Sequence, residues 1–257
     1  MGKCLPLELT KKIIKKHSES WKHIQEYRDL KGKVPEIDWD DKCYFPIYGG
    51  VAIACEGDMN PEEHQIEGAI IAAIAAWRLN KKVYSFDQLI EEALLVQEDD
   101  EMKVSLDRLS HLPDFCIYIK TEERLFLDGF FVYFDAGKKN RPLELILVLI
   151  SDDRKKATPV HMSIIPGKTI KECVKNTFHQ MPSPLSIGKD KDEITNMVIS
   201  GFYSELMPYI MYICNKNENS EKPIEKRQDS VKDTDDEVQY IHYGQDNGDI
   251  IKKMYDL

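Results

Sequence analysis

The sequence predicts an α+β fold, with N-terminal helices, a central, mostly antiparallel sheet, and C-terminal helices packed on that sheet. Three observations carry this. Apolar residues recur at helical spacing up to Val96, the period falls to two after Pro113 in β-branched and aromatic runs, and helical spacing returns from Thr169 to about residue 215 before one late strand. Helices, then strands, then helices is an α+β order; a parallel α/β sheet alternates the two throughout.

Residues 10–30 read as one amphipathic helix with Ile14, His17, Trp21 and Ile24 on its apolar face and Lys on much of the other, ended by Gly32 to Pro35. Residues 36–58 mix aromatics with Pro46, Gly49 and Gly50 and read as loop or short strand. Asn60 as cap, Pro61 in the first turn and Glu62 and Glu63 at the positive dipole end start the next helix, whose buried stripe is Ile66, Ile70, Ala73 or Ile74, and Trp77. Ser85-Phe86-Asp87-Gln88 has capping-box form and opens a further helix through Val96. The acidic run 98–101 is a loop, and a short helix follows from Met102 to Leu109.

Strands are expected at Phe115–Ile119, Phe130–Phe134, Leu143–Ile150 and Val160–Ile165, joined as hairpins in a meander. The third is almost wholly apolar and reads as a central strand covered on both faces. Thr169-Ile170-Lys171-Glu172 is a second capping box, opening a helix to about His179 that Pro182 and Pro184 end. The longest helix spans 191–215, with Pro208 inside it predicting a bend near Ser204. Residues 1–215 thus read as a single α+β domain, 216–237 as a mobile polar linker, and 238–257 as a strand and short helix returning to the domain.

With 257 residues and 42% apolar content the chain can bury a substantial core. Its net charge of −10 argues against direct DNA binding, which needs clustered Lys and Arg. No apolar run reaches the roughly 18 residues of a membrane span, and the N-terminus lacks a signal-peptide core, so no membrane partner is expected and the cytoplasm is the expected compartment. Six dispersed cysteines, none in a Cys-x-x-Cys pair, read as free thiols and not as zinc ligands.

Catalytic constellations are weak. His111, Asp114 and Cys116 hold the residue types of an activated thiol, but a Pro bend separates His111 from the strand face shared by the other two. His64 and Glu67 lie one turn apart without the second histidine of a zinc helix, and Asp152-Asp153 and Asp235-Asp236 read as turn-forming acids. No phosphate-binding glycine motif occurs, so catalytic, metal and cofactor-binding residues are all expected to be none. What remains is aromatic chemistry. Rings occupy both faces of Phe130 to Phe134, and one face could line a groove that grips a peptide. The candidate contact residues are Tyr44, Phe45, Phe115, Tyr118 and Phe131, although burial in the interior is the expectation for any one of them taken singly.

Several stretches, in order and at similar spacing, carry a family resemblance: Cys43-Tyr44-Phe45-Pro46, Ala76-Trp77-Arg78, Val83-Tyr84-Ser85-Phe86-Asp87, Leu112-Pro113-Asp114-Phe115-Cys116-Ile117-Tyr118-Ile119, Gly129-Phe130-Phe131 and Leu206 to Cys214. This set resembles the second type V-A anti-CRISPR family, encoded on phages and plasmids, over about residues 20–215 and more weakly over 240–253. The resemblance implies a non-enzymatic inhibitor of the type V-A CRISPR effector nuclease. It would act in the host cytoplasm, recognising the N-terminal segment of the nascent effector, at the ribosome, and suppressing effector production. Similar family chains continue past the Tyr240 strand into a tail rich in Arg, His and Trp that is not found here up to Leu257, and the expectation is a distant homologue lacking that tail. Two alternatives stand beside this reading: a metal-dependent nuclease acting on message, and a plasmid or phage maintenance protein with another protein partner.

Overall fold

The computed structural model describes residues 4–56, 60–95, 103–121, 126–135, 142–180, 189–218 and 237–244. Its centre is a sheet of β1 (Lys82–Phe86), β2 (Cys116–Lys120), β3 (Leu127–Asp135), β4 (Glu144–Ser151), β5 (Ala157–Ser163) and β6 (Gln239–Tyr243). In space the order is β5-β4-β3-β2-β1-β6. The meander β2 to β5 is antiparallel throughout, while β1 pairs parallel with both β2 and β6. A parallel pair needs a crossover. Between β1 and β2 that crossover contains α5 (Gln88–Leu95) and α6 (Leu106–Leu109). The fold is α+β, as the order of periodicities predicts.

Helices cover both faces of the sheet. On one side lies α4 (Gln65–Trp77), with α1 (Leu5–Lys16) and α3 (Ile47–Cys55) against it and α2 (Ser20–Asp29) against α3. On the other lies α8 (Lys189–Asn217), which packs with α5, α6 and α7 (Ile170–Gln180). Register fixes which side chains meet which layer. Tyr133 donates from its hydroxyl to the Ala69 carbonyl of α4 at 3.1 Å, so Cys116, Tyr118 and Phe131, two-residue steps away or directly opposite, share that face. On the opposite face Phe86 meets Tyr209 and Tyr212 at 5.2 and 5.6 Å, and the Tyr203 hydroxyl reaches the carbonyls of Leu145 and Val160. Strand β4 is covered on both faces, with Leu145 to Ile150 all buried, as its unbroken apolar run predicts.

Helix α4 is apolar all round because it is enclosed on every side, from Ile71 to Trp77. Its approach to α3 depends on two glycines. A Cβ on Gly50 would stand 2.2 Å from the Gly68 carbonyl oxygen, and one on Gly68 would stand 2.5 Å from Val51 Cγ2. This contact is why Gly49-Gly50, which reads as loop in the sequence, lies inside a helix. The expected loop or strand at 36–58 is therefore corrected to a loop followed by α3.

Other boundaries also shift. The single helix expected over 10–30 is two helices, broken at His17, whose backbone leaves helical space. Ile13 is buried where Ile14 was expected, and Ile66 is exposed where burial was expected. Asn60 bonds the Glu63 side chain rather than a backbone amide, and the first turn, Pro61–His64, is a 3-10 turn. Ser85 lies on β1, and the residue capping α5 is Asp87, whose Oδ1 accepts from the Ile90 amide at 2.9 Å. The Thr169 capping box forms reciprocally, with Thr169 N–H to Glu172 Oε2 at 2.9 Å and Glu172 N–H to Thr169 Oγ1 at 3.2 Å. The acidic run 98–101, Pro182 and Pro184, nearly all of the expected linker and the C-terminal helix lie outside the described residues. Among the described residues no helix is long and apolar enough to cross a membrane.

Candidate functional site

The five aromatic candidates lie in the core: relative exposures are 5% for Tyr44, 1% for Phe45, 8% for Phe115, 1% for Tyr118 and 0% for Phe131. The expectation that they face an open groove is corrected: Tyr118 and Phe131 lie on a sheet face roofed by helices, and Tyr44, Phe45 and Phe115, in the segments before α3 and β2, pack into the core against other rings. Tyr44 packs on Phe115 at 5.6 Å, with the Arg28 guanidinium 3.8 Å over its ring. Tyr118 and Phe131 are cross-strand partners at 4.8 Å, and the Tyr118 hydroxyl donates to Asp128 Oδ2 at 2.8 Å. A Cβ on Gly129 would stand 2.6 Å from that hydroxyl, so Gly129 makes room for the ring.

The candidate chemical groups are likewise structural. Cys116 is buried and its thiol is pushed well up, first by desolvation and then by the Asp114 charge, which disfavours a thiolate. Asp114 accepts from Asn80 Nδ2 and pairs with Lys82 at 3.1 Å, fastening the turn between α4 and β1 to the chain just before β2. Glu67 holds His17 at 3.0 Å and Lys16 at 2.6 Å. Burial raises this carboxyl, but the bonds from Lys16 and His17 outweigh that and leave it lowered. Asp135, at the end of β3, accepts from the Ile47 amide at 3.0 Å and so caps α3; burial pushes it up to about 6. Among the described residues no three His, Cys, Asp or Glu side chains are placed to hold a metal ion.

An open apolar groove lies instead between α2 and α3. His23, Glu26, Tyr27 and Leu30 form one wall, and Gly49, Ala52, Ile53 and Glu56 the other, around about 350 Å³. Each wall repeats at three- and four-residue spacing, so each is one face of a helix. Tyr27 connects the groove to the aromatic cluster behind it, with ring centroids 5.8 Å from Phe45, 6.0 Å from Trp39 and 6.1 Å from Tyr48. Leu30 is 41% exposed, and Glu26 and Glu56 give the rim negative charge. Glu56 ends α3 in left-handed backbone at φ 39° and meets buried His17 Nδ1 at 2.6 Å. Tyr27 and this groove do not stand out in the sequence because one wall lies in the segment that reads as loop; the repeat at 49, 52, 53 and 56 is the signal that marks it.

Comparison with known proteins agrees with this architecture. Residues 84–245, well over half of the chain, match the family described as AcrVA2-like, the anti-CRISPR type V subtype A2 family. A solved structure, "Crystal structure of AcrVA2", superposes with a TM-score of 0.65 at 16% identity, covering 99% of this chain and 89% of that one, which establishes a shared fold. No curated protein matches the sequence. The chain belongs to the anti-CRISPR type V subtype A2 family.

Proposed function

We propose that this protein is an anti-CRISPR inhibitor that holds a polypeptide segment, the N-terminal region of the nascent type V-A effector, and thereby suppresses effector production without making or breaking a covalent bond. It acts in the cytoplasm of the bacterial host, where that segment emerges from the ribosome. The α2–α3 groove carries this reading: two helix faces present carbon to solvent between acidic rims, a shape and charge suited to an apolar segment with basic flanks. Tyr44, Phe45, Phe115, Tyr118 and Phe131 serve it from behind, as the core that fixes the helices. The burial and raised thiol of Cys116 support action by binding over nucleophilic chemistry. Residues 1–215 form the binding domain, 216–237 the polar linker and 238–257 the returning segment. The test is retention of the protein on an immobilised peptide of the effector's N-terminal segment against a scrambled sequence. Selective retention supports the proposal; equal retention on both removes it.

A further inference from the structure

The two edges of the sheet are treated differently. Ile164 N–H bonds to the Leu143 carbonyl, so Pro159, His161 and Ser163 of β5 turn their backbone groups away from β4. That edge is blocked: Pro159 has no N–H to offer, and the Ser163 amide is taken by Thr177 Oγ1 of α7 at 2.7 Å. Among the described residues the β6 edge shows no such device. Gln239 N–H bonds to the Lys81 carbonyl and the Tyr243 carbonyl accepts from the Asp87 amide, so residues 239, 241 and 243 serve β1. The N–H and C=O groups of Tyr240 and His242 therefore point outward, and among the described residues no strand lies beyond β6. The strand Gln-Tyr-Ile-His-Tyr carries no proline, glycine, lysine or acid, and Tyr240 is 63% exposed.

We propose that the outer edge of β6 is a docking edge that takes an extended, positively charged segment of a protein partner as an added strand. Backbone bonds to Tyr240 and His242 would supply pairing. The chain's charge of −10 attracts a basic segment and repels a second copy. This edge is remote in sequence from the α2–α3 groove and stands whether or not that groove holds peptide.

The test is amide hydrogen exchange in the full chain, read at Tyr240 and His242, with Gln239, Ile241 and Tyr243 as protected internal references. The probe is a synthetic peptide of about ten alternating Lys and Val residues; the control is the same peptide N-methylated at every backbone amide, which leaves neither edge a donor. Fast exchange in the free protein, slowed about tenfold by the probe and unaffected by the control, is the expected result. A His242→Pro variant, which removes one outward donor, abolishes the slowing. Slow exchange in the free protein, protection that tracks a doubling of mass, equal protection by both peptides or none by either would each overturn the proposal. The methylated control keeps the test valid if the proline variant fails to fold.

Discussion

Replacing Asp135 by asparagine isolates the ionisation of a single buried carboxylate. The side chain is 7% exposed, caps the first turn of α3 through the Ile47 amide and receives the Cys43 thiol at 3.7 Å. Burial, aided by the nearby Glu144 charge and opposed by the Ile47 bond and His161, pushes it up to about 6, against about 3.9 for an exposed aspartate. Between about pH 4 and pH 6 the folded protein holds a proton here that the unfolded chain has released. The group therefore favours folding below about pH 4, and that contribution is lost as pH rises through 6. The integrated loss is about 3 kcal/mol. Asparagine keeps the oxygen that accepts from Ile47 and has no proton to lose. The assay is urea unfolding of wild type and Asp135→Asn from pH 4 to pH 7.5. The stability difference, variant minus wild type, should rise by about 2.4 kcal/mol across that range. Parallel profiles for the two proteins would refute the reasoning.

Three other predictions follow from the same geometry. Gly50→Ala forces a Cβ to 2.2 Å from the Gly68 carbonyl and should lower stability by about 3 kcal/mol or more, whereas Gly201→Ala in α8, where a Cβ meets nothing within 4 Å, should raise it by about 0.5–1 kcal/mol; urea midpoints measure both. Under a thiol reagent Cys4 and Cys55, half-buried, should label in the native state, while Cys43, Cys116, Cys173 and Cys214 should label only on unfolding, as mass spectrometry of the digested protein will show. Ala52→Trp and Leu30→Lys should weaken binding of the effector's N-terminal peptide at least about tenfold in a titration while changing stability by less than about 1 kcal/mol, because both residues are exposed on the groove.

The meander was legible because local pattern and tertiary environment agree. The run from Leu143 to Ile150 is apolar on both faces and is roofed on both faces, and the Thr169–Glu172 box contains both of its reciprocal partners within four residues. Elements whose reason for being lies elsewhere in the chain were not legible. Helix α3 contains Gly49 and Gly50, poor helix formers, and forms because Gly68 and Phe45 need the space they leave. Strand β1 was hidden by the capping form of Ser85 to Gln88, and its parallel neighbours β2 and β6 lie about 35 and 155 residues away along the chain. The aromatic residues were recognised as a dense set, but composition cannot say which side of a sheet is roofed. The groove was missed for the same reason as α3, since half of its lining appears only once that segment is helical.

The proposed inhibition runs through recognition of a segment of the effector polypeptide. It is tested most directly by expressing two effectors beside this protein and measuring their steady-state levels, one natural and one with its N-terminal segment replaced by an unrelated sequence. Loss of the natural effector and escape of the replaced one, with escape of both in the Ala52→Trp background, is the predicted result. Equal loss of both effectors would contradict it.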